Sequence, residues 1–550
     1  MLKFQNKTVL VTGSGTGIGQ AITKKFVENG ASAIILGRRK GPLVETAKML
    51  EEIIKEKQSN ATIKIFDGVD VSDEKAVTGM FDSLKSENVN LDVVVNNAGV
   101  SGPVTCFAHA PMDQFKSTVD IHLTGTFWTS VQALKIMKKG AKIITISTFF
   151  AEERPLEQRP YRFRGPYTAS QGAKNRLVEA MSWELTEKGI ISIGTNPGPV
   201  HSDRIYKTVY PKAASEFLRV SGFEDLSPSE VEAANNEIVG LLGEDDEIIK
   251  AGIKSAAEKL GKPETTLTNL LEKVKNIAEK IQKNTSTMIP DQQFLSQEQV
   301  ATTVLTLSDD DQAKILNGKI IPGDRVFYQV KSYIRSSVPK AERNNLDGKI
   351  CMITNGDGGD IRRLDDLASV IEAKGGKIIR GEPTDLNPEE KNVDLYIHFT
   401  GNIPNFSKLT ELTRYEWDEL VTNFITEPAM VARQAISTFV PEGDIDPRAF
   451  KDAKGRIIII GPALPAGKKI SGHERAKVEV FRGALRPFAT TVNQELSDVL
   501  KSNIRVFLIL PGTVDGKEPN NENAVNAINY LISDESQSSS EVIFCPDETR

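Results

Sequence analysis

A tyrosine, a glutamine and a lysine share one short stretch, GPYTASQGAK, at residues 165–174. A phenol is protonated near neutral pH, so Tyr167 could act as a general acid toward a carbonyl oxygen. On a helix, Gln171 follows about one turn later and Lys174 nearly two turns later, about 10 Å along the axis. Helical side chains lean toward the N-terminus, which would bring the Lys174 ammonium nearer to Tyr167. A lysine at the helix surface or at a subunit interface is the alternative for Lys174.

A glycine-rich segment, TGSGTGIG, follows the apolar run TVLV near the start of the chain. Gly13 permits a tight turn, Gly17 allows the backbone to approach a pyrophosphate, and Gly19 allows close packing of helix and strand. The N-terminus of the helix that follows would direct N–H groups at the phosphates. The segment predicts a dinucleotide site formed by Gly13, Ser14, Gly15, Thr16, Gly17, Ile18 and Gly19.

The choice of dinucleotide is indicated by the end of the second apolar run, IILGRRK. NAD requires a carboxylate there for the ribose hydroxyls, whereas a 2′-phosphate requires cations. Arg38 and Arg39 occupy that position, and two guanidinium groups can hold a phosphate through paired hydrogen bonds. The pattern favours NADP(H), with a solvated charge pair at a helix start as the alternative.

The elements that would position these groups alternate between strand and helix patterns. Short runs rich in valine and isoleucine are typical of strands that are buried on both faces of a parallel sheet. Their alternation with amphipathic stretches predicts an α/β fold with a doubly wound, Rossmann-like parallel sheet. The runs are TVLVTG, SAIILG, IKIFDGVDV, LDVVVNNAG, KIITIST and ISIGTNPG.

The 550 residues are too many for one ordinary core, and the strand pattern restarts after a polar connector. We predict a first domain over 1–328, a linker over 329–345 and a degenerate second domain over 346–550. A lysine- and glutamate-rich helical insertion over about 206–300 is either a solvated cap or a lid over the substrate. The prediction is therefore two tandem Rossmann-like domains, of which the second is a non-catalytic scaffold.

Composition excludes several classes of function. A net charge of −6 provides no basic footprint for nucleic acid, and three widely separated cysteines indicate neither a disulfide framework nor a metal site. The opening MLKFQNKTVLVTG leads directly into a predicted strand, so we expect no signal peptide, and no apolar run is long enough to span a membrane. We expect a cytoplasmic protein that binds neither nucleic acid nor membrane.

Taken together, these motifs resemble the short-chain dehydrogenase/reductase family. The matching pieces are the glycine-rich turn, DV at 70–71, NNAG at 96–99, the strand ending in ST at 147–148, Tyr167 and PG at 197–198. The resemblance implies that Asp70 and Val71 hold the adenine and that Asn97, Ala98 and Gly99 line the nucleotide. It also implies a nicotinamide segment formed by Pro197, Gly198, Val200 and Ser202.

The resemblance also shows where this chain departs from the family's catalytic set of asparagine, serine, tyrosine and lysine. His122 stands in the asparagine position, Ser147 or Thr148 in the serine position, and Gln171 in the lysine position. The family lysine binds the nicotinamide ribose and lowers the pKa of the tyrosine. Alcohol oxidation needs a tyrosine base, whereas carbonyl reduction needs only a protonated phenol, so losing the lysine should damage oxidation more.

The tandem plan also resembles the N-terminal half of the bifunctional bacterial malonyl-CoA reductases, through ISTFFAE and NPGPVHSDRIYKTVY. That resemblance implies NADPH-dependent reduction of malonate semialdehyde to 3-hydroxypropionate. The partners we expect are a second copy of the chain, in a homodimer, and a separate malonyl-CoA-reducing subunit. A carboxylate-bearing substrate needs a cation, for which Arg204 is the first candidate and Arg164 the second. A solvated basic loop is the alternative for the arginines before Tyr167.

Two other functions remain open at this point. The chain could be a nucleotide-binding pseudoenzyme or scaffold subunit, which the replaced lysine and asparagine favour. It could also reduce a 3-oxoacyl thioester, with the helical insertion as an acyl-binding cover. NADPH consumption with each substrate would separate these functions.

Overall fold

The fold is taken from a computed structural model of the chain. The described residues are 2–148, 162–200, 206, 209–287, 289, 291–323, 341–356, 361–381, 393–404, 406, 408–463, 471–511, 521–533 and 542–545.

The first half of the chain builds a parallel seven-stranded sheet in the order β3-β2-β1-β4-β5-β6-β7. Its strands are β1 (Thr8–Thr12), β2 (Ser32–Gly37), β3 (Ile63–Asp67), β4 (Leu91–Asn96), β5 (Met137–Ile146), β6 (Ile191–Pro197) and β7 (Ile320–Gly323). The helices before the insertion are α1 (Gly17–Glu28), α2 (Lys40–Glu56), α3 (Glu74–Ser86), α4 (Met112–Val119), α5 (Gly125–Ala133) and α6 (Gly165–Leu185). A π-helical turn, Asp120–Thr124, joins α4 to α5.

The helical insertion lies between β6 and β7. Its helices are α7 (Tyr210–Ser221), α8 (Pro228–Ile238), α9 (Asp246–Leu260) and α10 (Glu264–Ser286). They pack around a hydrophobic cluster of their own, which includes Leu218, Ile253 and Leu270. Two further helices, α11 (Gln297–Leu307) and α12 (Asp310–Ile315), precede β7. Helix α11 packs against α1, which lies on the first sheet. The insertion therefore ends before Gln297, where α11 begins.

The second half repeats this plan with a parallel six-stranded sheet in the order β13-β12-β11-β10-β8-β9. Its strands are β8 (Ile350–Asn355), β9 (Lys377–Gly381), β10 (Leu395–Phe399), β11 (Lys454–Ile460), β12 (Asn503–Pro511) and β13 (Val542–Cys545). Its helices are α13 (Ile361–Ala373), α14 (Arg414–Val421), α15 (Glu427–Phe439), α16 (Gly472–Gln494) and α17 (Asn521–Leu531). π-helical turns lie at Thr422–Thr426 and Glu495–Val499.

The two sheets confirm the predicted fold class of tandem, doubly wound α/β units. The central strands are buried because their runs of valine and isoleucine pack against helices on both faces. Of the predicted linker, only 341–345 lie within the described residues. Within these ranges no helix is both long and apolar enough to cross a lipid bilayer.

The two halves pack together through the long helices α6 and α16. Gly172 and Gly483 lie at the crossing, where a side chain on Gly172 would collide with the Gly483 carbonyl. Beside the crossing, the Trp417 ring stacks on Phe127 with 3.7 Å between centroids, and its Nε1 donates to Thr124 Oγ1 at 3.1 Å. The second half therefore covers the face of α6 that is opposite the first sheet.

Candidate active site

The glycine-rich turn joins β1 to α1 at the carboxyl edge of the first sheet. Gly13 and Gly17 have φ angles of +68° and +64°, a region that favours glycine. A side chain on Gly19 would collide with the Gly13 carbonyl, whereas the space beside Gly17 is open. The turn therefore has the close helix–strand packing and the open backbone face that a pyrophosphate requires.

The end of β4 is fixed against this turn by one threonine. Thr12 Oγ1 accepts from the backbone N–H groups of Asn97 at 2.9 Å and Ala98 at 2.8 Å. Asn97 Nδ2 donates to the Thr12 carbonyl at 3.0 Å. These bonds place Asn97, Ala98 and Gly99 beside the glycine-rich turn. That these residues line a nucleotide, as the family resemblance implies, stays a prediction.

Arg38 and Arg39 follow β2 and are exposed. Arg38 Nη1 lies 3.6 Å from Asp70 Oδ2, while Asp70 Oδ1 accepts from the backbone and side chain of Ser72. Val71 is buried. The sequence has no acid at the end of β2, and the carboxylate that approaches Arg38 comes from the loop after β3.

Tyr167 lies in the first turn of α6 between a cation and an imidazole. The Arg164 guanidinium carbon is 3.8 Å from the centroid of the Tyr167 ring, and the His122 ring meets it edge-on at 5.2 Å. Arg164 is buried, and its Nη2 donates to the Ser101 carbonyl at 2.9 Å. The structure therefore places Arg164, the second candidate for a substrate carboxylate, against the phenol ring.

His122 is held by the π-helical turn between α4 and α5. Its Nε2 lies 2.9 Å from the Val100 carbonyl oxygen and 3.2 Å from the Val100 amide nitrogen, so either neutral tautomer makes a hydrogen bond there. A side chain on Gly99 would collide with the His122 ring. Position 99 must therefore be glycine for the His122 ring to fit, and His122 stands where the family has asparagine.

The hydroxyl candidates lie at the end of β5, and both are buried. Ser147 Oγ donates to Asn175 Oδ1 at 2.5 Å, so this α6 side chain fixes the serine. Gln171 is also buried, and within the described part of the chain its Oε1 has no hydrogen-bond partner. A buried acceptor of this kind is satisfied when a ligand hydroxyl donates to it.

Lys174 is 1% exposed, so the alternative of a surface lysine is wrong. Its Nζ donates to the Ile146 carbonyl at 2.5 Å, at the end of β5. Burial lowers the pKa of Lys174 to about 7, because the ammonium loses its hydration. The Lys174 amine therefore lies at the end of β5, where the hydroxyl candidates Ser147 and Thr148 follow. That Lys174 takes over the role of the family lysine stays a prediction.

The Lys174 amine should make stability depend on pH in alkaline solution. Because its pKa is lower in the folded chain than in the unfolded chain, the unfolded state binds more protons between about pH 7 and 10.5. Stability should therefore rise with pH across this window, and Lys174→Met should flatten the rise. Chemical denaturation of both proteins at pH 7.5 and 9.5 measures the effect. Parallel curves for the two proteins would contradict it.

The predicted nicotinamide segment is described up to Val200. Gly198 N donates to the Gly323 carbonyl at 3.4 Å, and Leu295 N donates to the Pro199 carbonyl at 2.8 Å. Ser202 and Arg204, the first candidate for a substrate carboxylate, lie outside the described residues. A cavity of about 680 Å³ next to this segment is lined by Tyr206, Gln282, Ser286, Gln292, Gln293, Phe294 and Ser296.

The corresponding edge of the second sheet differs in its charge. At the end of β8, a side chain on Gly356 would come 3.2 Å from Glu427 Oε2, so a carboxylate lies beside this turn. The α16 segment contains no tyrosine. In the sequence two acids, Asp357 and Asp360, follow Gly356 where a pyrophosphate would lie in the first half, and both are outside the described residues. We predict that the second half binds no nucleotide, because carboxylates at this turn would repel a pyrophosphate.

Comparison with known sequences gives matches to the first half of the chain. The family profile described as short chain dehydrogenase matches residues 7–210. An uncharacterized oxidoreductase of Bacillus subtilis is 30% identical over 208 residues, which are 38% of this chain and 71% of that protein. A 3alpha-hydroxysteroid dehydrogenase of Mediterraneibacter gnavus is 30% identical over 206 residues, 37% of this chain and 78% of that protein.

Two solved structures match nearly the whole chain. The C-domain of a bacterial malonyl-CoA reductase, solved with NADP, superposes with a TM-score of 0.71 and 15% identity, covering 96% of this chain and 95% of that one. The N-domain, also solved with NADP, gives 0.68 and 16%, with 99% and 98% covered. The similarity establishes the tandem fold. This chain resembles both the N-domain and the C-domain of malonyl-CoA reductase in fold, whereas its sequence motifs indicated the N-terminal half alone.

Proposed function

Since the chain belongs to the short-chain dehydrogenase/reductase family, we propose that it reduces a small aldehyde or ketone with NADPH. Malonate semialdehyde, which would yield 3-hydroxypropionate, is the substrate we propose. One observation carries the proposal: Tyr167 lies at the start of α6, against the Arg164 guanidinium and the His122 ring, on the sheet edge that holds the glycine-rich turn. The similarity in fold to malonyl-CoA reductase domains supports the choice of substrate.

The residues present fit a bound NADP(H). The open backbone face at Gly17 would accept the pyrophosphate, and Arg38 and Arg39 would hold the 2′-phosphate. The buried Oε1 of Gln171 would accept from a nicotinamide ribose hydroxyl. Asp70 and Val71 would contact the adenine, and the segment from Pro197 to Ser202 the nicotinamide amide.

A bound NADPH would supply the hydride that the carbonyl carbon needs. The Tyr167 hydroxyl donates a proton to the carbonyl oxygen, which becomes the alcohol oxygen. Thr148 would orient that oxygen by donating a hydrogen bond to it, and Ser147 would do so once its hydroxyl hydrogen, which is donated to Asn175, turns to the substrate. A protonated phenol is sufficient for this direction, so a glutamine can replace the family lysine without stopping reduction. Arg204 or Arg164 would hold the substrate carboxylate.

Steady-state oxidation of NADPH with malonate semialdehyde, an uncharged aldehyde of similar size and a 3-oxoacyl thioester tests the proposal. We expect turnover with the semialdehyde and a higher KM for the uncharged aldehyde. Turnover of the thioester alone would mean that the substrate is a 3-oxoacyl thioester and not a small aldehyde. Tight NADPH binding without turnover of any carbonyl would leave a nucleotide-binding pseudoenzyme, which the substitution of glutamine for the family lysine favours.

Gln171→Lys should raise alcohol oxidation more than carbonyl reduction. An ammonium at this buried position stabilises a nearby phenolate, and only oxidation needs the phenolate as a base. Because Lys174 lies one turn further and is also buried, the variant is best tested together with Lys174→Met. Gln171→Met is the neutral control of similar length. Equal changes in the forward and reverse kcat would contradict the argument.

A further inference from the structure

A buried glutamate from the second half of the chain holds two loops of the first half. Glu495, the first residue of the π-helical turn after α16, is 1% exposed. Its Oε2 accepts from the Phe107 amide at 2.6 Å, and its Oε1 accepts from the Phe163 amide at 2.7 Å. One side chain therefore joins the loop after β4 to the segment that enters α6.

The second of these loops leads directly to the proposed general acid. Phe163 precedes Arg164, whose guanidinium lies 3.8 Å from the centroid of the Tyr167 ring. Phe163 has a φ of +67°, a conformation that a bulky side chain adopts only where its surroundings impose it. The hydrogen bond from its amide to Glu495 is such a constraint.

Other contacts from the second half support the same segment. Arg162 Nη2 donates to Asp498 Oδ2 at 2.7 Å, although both side chains are exposed and the pair contributes little. The Thr168 and Thr491 hydroxyls lie 3.2 Å apart and are buried at the helix crossing. Segment 162–168 is therefore flanked by side chains of the second half on both sides of Tyr167.

A reciprocal contact runs in the opposite direction. Glu184, near the end of α6, accepts from the amides of Leu409 at 2.6 Å and Thr410 at 2.9 Å in the second half. His473 Nε2 lies 3.3 Å from the same carboxylate. Each of the two glutamates thus accepts from two backbone amides of the other half, but of the two it is Glu495 that holds a segment next to Tyr167. Glu184 is therefore a matched control at the same interface.

The surroundings of Glu495 include a second buried acid. Glu216 on α7 accepts from the Cys106 amide at 2.7 Å and pairs with Arg219 at 2.7 Å. Burial, with a smaller contribution from Glu216, raises the pKa of Glu495 to about 8. The folded state therefore binds the Glu495 proton between about pH 4.5 and 8, where the unfolded state has lost it, so stability falls with rising pH across this window.

We propose that Glu495 is a positioning residue for the reaction at Tyr167, because it holds the backbone at Phe163 and thereby places Arg164 against the phenol ring. The second half would then act as a built-in partner of the active site rather than as an inert scaffold. This inference rests on the proposed reductase function. A small displacement of a positioned group can lower a rate by about 10²-fold.

The test compares Glu495→Gln with Glu184→Gln in the full-length chain. Glutamine keeps one acceptor but turns an amide N–H₂ toward the other backbone donor, so one of the two bonds is lost. We expect the kcat of carbonyl reduction to fall by about 10- to 100-fold in Glu495→Gln, with the Kd of NADPH unchanged. Glu184→Gln should keep the wild-type kcat.

Two further readouts separate positioning from general loss of stability. Amide hydrogen exchange at Phe163 should accelerate in Glu495→Gln and not in Glu184→Gln. The decline of stability between pH 5 and 8 should be shallower in Glu495→Gln, because glutamine does not titrate. Equal losses of kcat in both variants, or an unchanged kcat with accelerated exchange in Glu495→Gln, would overturn the inference.

Failure of the proposed function is distinguishable from failure of this inference. A wild-type protein that reduces no carbonyl substrate would refute the reductase proposal and, with it, a role for Glu495 in that reaction. Exchange at Phe163 would then still decide whether Glu495 holds the segment. An active wild type with an equally active Glu495→Gln variant would refute only the positioning role.

Discussion

Tyr167→Phe is expected to abolish carbonyl reduction while leaving NADPH binding nearly intact. The edge contact with His122 and the contact with the Arg164 guanidinium are made by the aromatic ring, which phenylalanine keeps. The substitution therefore removes the hydroxyl and its proton while retaining the packing. Loss of a general acid lowers rates by about 10²- to 10⁴-fold. Stopped-flow measurement of NADPH oxidation, with cofactor titration alongside, tests both parts.

Tyr415→Phe is the control for this substitution, because Tyr415 is 71% exposed on the second half. It should behave as wild type. If Tyr167→Phe kept a tenth or more of the wild-type rate, proton donation would have to come from another group, and Ser147 and Thr148 would be the next to test. If Tyr167→Phe also lost NADPH binding, the hydroxyl would belong to the cofactor site.

Most of the fold could be predicted from the sequence, because each central strand is a short apolar run that must be buried on both faces. All six runs of the first half became strands β1 to β6. Strand β9, Lys377–Gly381, was not predicted, since its KIIRG sequence is half-exposed at the edge of the second sheet and has little apolar signal. Edge strands bury fewer side chains and so leave weaker patterns.

The candidate site could be predicted only where its residues share one element or one turn. The spacing of α6 placed Gln171 and Lys174 relative to Tyr167 correctly along the helix. It did not show that Lys174 would bond to the Ile146 carbonyl, because the sheet that receives its amine is 28 residues away in sequence. A buried lysine orients its amine toward a hydrogen-bond acceptor, and which acceptor lies within reach depends on the tertiary structure.

Contacts between the halves carried no sequence signal. The Phe163 amide and Glu495 are 332 residues apart, and neither lies in a motif. The prediction of a scaffold role for the second half followed from its missing catalytic residues. The structure adds that its side chains bond to the segment next to Tyr167. The second half can therefore hold the segment next to Tyr167 even in the predicted scaffold role.

Replacing Arg38 and Arg39 together with alanine is expected to remove most of the preference for NADPH over NADH. Hydrogen bonds to charged groups contribute about 1.5–3 kcal/mol each, so each arginine is worth about 10- to 100-fold in affinity for the 2′-phosphate. Loss of Arg38 also leaves the Asp70 carboxylate, 3.6 Å from its Nη1, without this ion pair, and a carboxylate there repels phosphate. Binding of NADH should change little.

Calorimetric titration of both cofactors against the double variant tests this expectation, and the ratio of the two Kd values is the quantity to compare. Lys40→Ala is the matched control, since Lys40 is an exposed cation at the start of α2 and is the next residue along the chain. It should keep the wild-type ratio. The single variants should show a larger loss for Arg38 if Asp70 contributes as argued. A double variant that prefers NADPH as strongly as wild type would mean that other residues hold the 2′-phosphate.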